Sequence, residues 1–178
     1  RWLHDLHTPE LDFDRNKQIG KARLCKTGKD FTIISYSYLT YEALEATKIL
    51  DENYNIKCDL IDLRTIKPLD WQTVHKSLKK TGRMIVLDTG HKTGSVASDI
   101  ISNIVTNQSI KLKSRPVKLA MPDFPEPTSF ALTKNFYISS RDIVNSVLKN
   151  LNIRKKKNIR FSTRKYHDKP GDWFKGPF

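Results

Sequence analysis

Apolar residues in this chain fall into short runs separated by charged, amphipathic stretches, and the alternation predicts its elements in order. Phe31 to Ser37 is rich in β-branched and aromatic residues and predicts a core strand. Thr40 is a candidate N-cap for a helix running to about Asn53, with Ala43, Ala46 and Leu50 on one face. Lys57 to Leu63 is the next strand. Leu60 to Asp70 then passes from an apolar run into a charged turn, meets Pro68, which cannot continue a ladder, and ends on Asp70, suited to cap a helix. That helix sets Trp71, Val74 and Leu78 on one stripe, gathers Lys76, Lys79 and Lys80 near its end, and stops at Gly82.

Arg83 to Asp88 is another buried strand, followed by the polar loop Thr89 to Gly94. Ala97, Ile100, Ile101 and Ile104 give a third amphipathic helix. Val117 to Met121 is the last strand, after which Pro122, Pro125 and Pro127 keep the chain extended. Val144, Val147, Leu148 and Leu151 mark a final helix from about Ser140. Ahead of all these, Ala22 to Cys25 fits a short edge strand closed by the turn Thr27 to Asp30. Strands alternating with helices at this spacing mean βαβ units, so the expected class is α/β, three-layered, with a mostly parallel sheet and helices on both faces.

Outside that pattern the chain changes character. Residues 1–18 read as an incoming linker whose few apolar side chains lie on a neighbouring surface, residues 19–152 as one domain, and residues 153–178 as a basic, aromatic extension. At 178 residues the chain can bury a sizeable core. It opens on Arg1, so a fragment or processed product is the expectation.

Charge sharpens the picture of the extension. Of the net +13, the stretch Ile153 to Phe178 contributes +7, from nine basic residues against Asp168 and Asp172. Its first part reads as solvated charge. The remainder brings Trp173, Phe174 and Phe178 together with turn residues, and these are expected to anchor on a partner. The two cysteines, Cys25 and Cys58, have no metal-ligand or redox spacing and read as reduced thiols. No apolar run reaches the roughly 20 residues of a membrane span, and no signal-peptide pattern opens the chain. A soluble, reducing compartment is expected, the cytoplasm, or the mitochondrial matrix for a eukaryotic source.

In an open α/β sheet, ligands sit beyond the carboxyl ends of the strands. The candidates there are Ser35 to Tyr38, Arg64 to Lys67, Asp88 to Gly94 and Asp123 to Thr128. An Asp88–His91 pair would suit acid–base work, and the backbone of Thr93, Gly94 and Ser95 would suit an anion. Yet no nucleophile elbow, GxGxxG, Walker-type loop or metal-ligand set appears. The fold reads as an enzyme's without an assembled catalytic set, as in a domain that supports a site elsewhere.

The sequence of Thr32-Ile33-Ile34-Ser35-Tyr36-Ser37, Glu42-Ala43-Leu44-Glu45-Ala46, Asp62-Leu63-Arg64-Thr65-Ile66-Lys67-Pro68-Leu69-Asp70 and Lys80-Thr81-Gly82-Arg83 resembles a known family. It is that of the C-terminal, transketolase-type domain in the β subunit of thiamine-diphosphate-dependent 2-oxo acid dehydrogenases of the pyruvate and branched-chain type. The likeness continues through Gly94 to Ile100, Pro122 to Pro127 and Asp142 to Val144, covering about Ile19 to Leu151. It implies strand order 1-3-2-4-5, with Ala22 to Cys25 as an antiparallel edge. It also implies that thiamine diphosphate and Mg are bound by other domains, and that this chain alone holds no cofactor or metal and has no catalytic residues. Its roles would be contacts with the α subunit or thiamine-binding domains, homo-oligomer formation, and part of a dock for the acyltransferase core. Arg64, Lys67, Asp88, His91, Thr93 and Ser95 are the subunit-interface candidates. The family commonly has glutamate at the place of Asp88 and two glycines where Thr93-Gly94-Ser95 has one.

Two other readings are weighed beside it. One is the C-terminal domain of a transketolase or deoxyxylulose-phosphate synthase, with Arg64 and Lys67 available to a phosphate. The other is a nucleic-acid-binding module using the basic tail with Tyr166, Trp173 and Phe174; solvated charge is the commoner meaning of such runs.

Overall fold

The computed structural model describes residues 19–107, 109–133, 136–156 and 159–161. Ten elements follow in the order β1 (Arg23–Lys26), β2 (Phe31–Ser35), α1 (Leu39–Tyr54), β3 (Cys58–Asp62), α2 (Trp71–Thr81), β4 (Met84–His91), α3 (Val96–Thr106), β5 (Val117–Met121), α4 (Phe130–Thr133) and α5 (Ser140–Asn150). They build one five-stranded sheet of order β1-β3-β2-β4-β5. β3, β2, β4 and β5 run parallel, and β1 pairs antiparallel with β3, Arg23 opposite Asp62.

Because successive strand residues point to opposite faces, the apolar runs split into two cores. Ile33, Leu60, Ile85 and Leu87 join Ala43, Ala46 and Leu50 of α1 and Val144, Val147 and Leu148 of α5. Their neighbours Ile34, Ile61 and Val86 face the other way, against Val74 and Leu78 of α2 and Ala97, Ile100 and Ile104 of α3. β2 is buried throughout, as a central parallel strand covered on both faces must be. Each fully buried Leu or Ile contributes roughly 1.5–3 kcal/mol of transfer free energy.

Polar groups tie the layers. Asp59, 1% exposed at the start of β3, accepts from the Gly28 N–H at 2.7 Å and Lys80 Nζ at 2.6 Å through one oxygen, and from Ser77 Oγ at 2.6 Å through the other. Ser77 Oγ and Thr81 Oγ1 each lie 2.7 Å from Thr32 Oγ1. Gly28 has to be glycine, since a Cβ there would stand 2.2 Å from the backbone of Lys57.

The helix boundaries follow from local chemistry. Asp70 caps α2, accepting from the Thr73 N–H at 3.2 Å, and Gly82 ends it in the left-handed region at φ 69°. α5 opens on a capping box between Ser139 and Asp142. Thr40 is not the N-cap of α1. The helix starts at Leu39, and the Thr40 side chain is drawn instead to Ser35 Oγ at 3.0 Å, across the β2–α1 turn. β4 runs past Asp88 to His91, held by pairing with Met121. The short α4 follows a proline-punctuated segment in which no helix was expected.

The charged start of the extension is exposed from Arg154 to Lys156, but this stretch is more than solvated charge. The Lys156 N–H donates to Tyr54 Oη at 3.0 Å, and its ammonium lies 5.5 Å from that ring's centre. Ile159 and Phe161 pack on the α1/α5 core, with Arg141 over the Phe161 ring at 4.7 Å.

Candidate functional site

The strand order reverses direction around β2, whose neighbours are β3 on one side and β4 on the other. The carboxyl ends of β2 and β4 therefore flank the switch point where an open α/β sheet forms a crevice. Here the crevice is bridged. Tyr36, just past β2, donates its phenol to Asp88 of β4. Asp88 is 1% exposed and accepts two further bonds, from the Gly90 N–H at 2.7 Å and the Ala97 N–H at 2.7 Å. One carboxylate thus joins the exit of β2, the bend in β4 and the first turn of α3, where a negative charge suits the helix dipole. Burial, and then the hydrogen bond to Asp88, push the Tyr36 phenol up to about 12.

The neighbouring loop is bonded to itself and to β5. Ser95 caps α3, accepting from the Ser98 N–H at 3.2 Å. The Thr93 N–H and hydroxyl donate to Asp123 at 2.8 and 3.0 Å. The Thr93 N–H is the foremost influence holding the Asp123 carboxyl below the usual carboxylate range. Of the three N–H groups expected to suit an anion, that of Thr93 is taken by Asp123, and further into α3 those of Ala97 and Ser98 are taken by Asp88 and Ser95.

Asp88 and His91 do not form the acid–base pair that their spacing allowed. His91 Nδ1 lies 2.7 Å from the carbonyl oxygen of Pro122; a carbonyl only accepts, so Nδ1 is the donor in this bond. His91, Thr89, Tyr38, Met121, Glu126 and Tyr137 line a cavity of about 260 Å³ at this end of the sheet.

Arg64 and Lys67 stand apart, on the β3–α2 loop. Both are exposed. Arg64 sits in the left-handed region at φ 56°, its N–H donating to Asp62 Oδ1 at 3.2 Å; such a conformation costs a non-glycine residue roughly 1–2 kcal/mol. The Lys67–Pro68 peptide is cis. Ile66, between them, is exposed, as are Phe124, Phe130 and Leu132 beyond β5.

Of the six interface candidates, the fold brings Asp88, His91, Thr93 and Ser95 together around α3 and β5, and leaves Arg64 and Lys67 on a separate loop. Asp88 and Ser95 are buried within the chain. Trp173, Phe174 and Phe178 lie outside the described residues. Tyr36 was within a candidate stretch, but its pairing with a residue 52 positions away has no local signal. Among the described residues no group of three or more His, Cys, Asp or Glu is placed to hold a metal ion, and no helix is long and apolar enough to cross a membrane.

Comparison with known proteins agrees with this architecture. The family described as Transketolase, C-terminal domain, matches residues 20–143. A pyruvate dehydrogenase E1 component subunit beta from Rickettsia bellii (strain RML369-C) is 38% identical over 148 residues, 81% of this chain and 45% of the relative. The mitochondrial 2-oxoisovalerate dehydrogenase subunit beta of Dictyostelium discoideum is 38% identical over 120 residues, 67% of this chain and 32% of the relative. A solved structure, a split gene transketolase described as an inactive beta4 tetramer, superposes with a TM-score of 0.65 at 29% identity, covering 78% of this chain and 44% of that one. The chain spans less than half the length of these relatives. With most of its sheet and helices inside the matched residues, the chain belongs to the transketolase C-terminal domain family and is similar to the β subunits of pyruvate and branched-chain 2-oxo acid dehydrogenases.

Proposed function

We propose that this chain is the C-terminal assembly domain of a thiamine-diphosphate-dependent 2-oxo acid dehydrogenase, in the place such a domain holds in a β subunit, and that it makes subunit contacts rather than carrying chemistry alone. The observation that supports this reading most directly is the exposure of Ile66 on the β3–α2 loop and of Phe124, Phe130 and Leu132 in the segment after β5 that includes α4. Large apolar side chains exposed together beyond the strands are what a partner surface covers. Arg64, Lys67, His91 and Thr93 supply the polar rim, while the buried Asp88 and Ser95 hold the loop that presents it.

Thiamine diphosphate with Mg is the cofactor of the proposed whole enzyme. The described residues offer it little: the Ala97 and Ser98 amides at the start of α3 are occupied by Asp88 and Ser95, and among the described residues no group of three or more His, Cys, Asp or Glu is placed for the ion. We therefore assign the cofactor to thiamine-binding domains outside these residues and derive no step through it. The proposed partners are the α subunit or those domains, a second copy of this chain, and the acyltransferase core. Trp173, Phe174 and Phe178 are assigned to docking on a partner subunit or neighbouring domain. The free thiols of Cys25 and Cys58 suit the reducing cytoplasm or mitochondrial matrix.

The split gene transketolase likeness favours one second reading, the equivalent domain of a transketolase. Light scattering on the chain, alone and mixed with a pyruvate dehydrogenase α subunit, tests the assembly role. Association is expected, and the doubly substituted F124D/L132D should lose it while keeping its circular dichroism. A wild-type chain that stays monomeric and unbound overturns the reading. Decarboxylation of a 2-oxo acid by the chain alone overturns its non-catalytic part, and turnover of ketose phosphates by the assembled enzyme selects the transketolase alternative.

A further inference from the structure

β5 is the last strand of the sheet, bonded to β4 along one edge only. Against its other edge lies a groove of about 800 Å³, with Leu119 and Ala120 of β5 on one side, Asn145 and Ser146 of α5 on the other, and Phe136 and Ile138 closing it. Its apolar floor is walled by Lys92, Lys118 and Arg141. Among the described residues none of the three is in an ion pair. Lys118 Nζ donates to the Lys92 carbonyl and to Ser98 Oγ at 2.6 and 2.7 Å, and Arg141 lies over an aromatic ring. The one carboxylate in the groove, Asp142, is committed to the Ser139 N–H and hydroxyl at 2.9 and 2.6 Å.

We propose that this groove receives an extended acidic segment of a partner protein, added beside β5 as a further strand. An edge strand offers backbone donors and acceptors to an extended peptide, and pockets beside it select alternate side chains. Apolar side chains of the segment would rest on Leu119, Phe136 and Ile138, and carboxylates on the intervening positions would meet Lys92 and Arg141. Charge decides between occupants. At this basic groove a second copy of this chain, net +13, and the residues following Phe161, with four basic side chains against Asp168 and Asp172, are both disfavoured where an acidic partner is drawn in, which leaves contacts with a second copy to the apolar surface after β3 and β5. Pro116 and Pro122 bracket the five residues of β5 and limit pairing to a short segment, which protects the edge from indiscriminate addition.

The probe is a fluorescein-labelled peptide of alternating Glu and Val, with an alternating Lys and Val peptide as control, titrated into the full chain. The Glu–Val peptide is expected to bind with a strong salt dependence, to shift the backbone amide resonances of Lys118, Leu119 and Ala120, and to slow hydrogen exchange at the alternate β5 amides that face away from β4. K92E/R141E, two exposed positions, should weaken it by about tenfold or more with the melting curve kept as the folding control. Asn145→Trp, which fills the groove without changing charge, should weaken it as well. No binding of the Glu–Val peptide, equal binding of the Lys–Val peptide, or shifts confined to other elements overturns the proposal. A synthetic peptide of residues 162–178 that shifts the same β5 amides with equal affinity overturns it too, because the chain's own tail would then be the occupant.

Discussion

The carboxylate of Glu42, buried in the first turn of α1, accepts a hydrogen bond at 2.8 Å from the backbone N–H of Ser140, 98 residues further on. It gives one of the orphan donors at the start of α5 a charged partner and fastens the two helices that cover one face of the sheet. Replacing it with alanine leaves the Ser140 N–H buried without that acceptor, so Glu42→Ala should cost about 1–3 kcal/mol. Glu42→Gln, which keeps an acceptor and drops the charge, should cost less. Urea unfolding monitored by circular dichroism measures both, and equal losses would show that the acceptor geometry is immaterial.

The network under β3 should behave as a unit. Asp59→Ala removes the shared acceptor of Gly28, Ser77 and Lys80; the Lys80 ammonium is part-exposed and can turn to water, so a loss of about 1–3 kcal/mol is expected. Ser77→Ala should add little in that background, because its hydroxyl has already lost Asp59. Additive losses in the double-mutant cycle would count against the coupling.

The Tyr36 phenol should ionise at about 12 in an ultraviolet absorbance titration, and Tyr36→Phe should remove that step. The folded phenol holds its proton above the roughly 10 of an unfolded tyrosine. Its contribution to stability is therefore complete below pH about 10 and is lost as pH rises through about 12. Stability curves for the wild type and Tyr36→Phe should converge over that window.

At the acid end the sign reverses. Partial burial pushes the Asp70 carboxyl up, but hydrogen bonds from the Thr73 hydroxyl and N–H and from the Ala22 N–H outweigh it and hold it below the usual range. The stabilisation is present above an unfolded aspartate's value near 3.9 and fades as pH falls through the folded one. Asp70→Asn should accordingly lose stability at neutral pH and show a flatter acid limb in thermal melts.

Burial pushes the Cys58 thiol up to about 12, so it should resist thiol-specific reagents until the sheet opens. Cys25 is also raised, by burial and then by Asp62, but is only half-buried. A reagent such as 5,5′-dithiobis-(2-nitrobenzoate) should modify Cys25 slowly in the native protein and Cys58 only with denaturant; two equal native rates would contradict this.

Local pattern was enough wherever an element is defined by its own residues. Val117 to Met121 is a strand with the bounds expected, and Asp70 and Gly82 bracket α2 as their chemistry requires. The strand order came with the family resemblance and agrees with the fold. What stayed hidden depends on partners far along the chain. Thr40 looks like a cap, yet Ser35 Oγ competes for its hydroxyl. Gly90 looks like a break, yet β4 continues because Met121 pairs with His91 and accepts from the Lys92 N–H at 2.9 Å. The same holds for the site. Asp88 was legible as a candidate, but only the folded chain brings Tyr36 and the α3 amides to it and turns a prospective acid–base group into a brace.

The start of the domain has a mechanical reading. The Gly20 N–H donates to Thr65 Oγ1 at 2.9 Å and the Ala22 N–H to Asp70 Oδ2 at 3.1 Å, both ahead of β1. A pull on the chain upstream of Gly20 therefore loads the β3–α2 loop, with Arg64 and Lys67 on it, before it loads the sheet. Reorientation of whatever precedes this domain would be felt first at that loop, which then acts as a lever between the two.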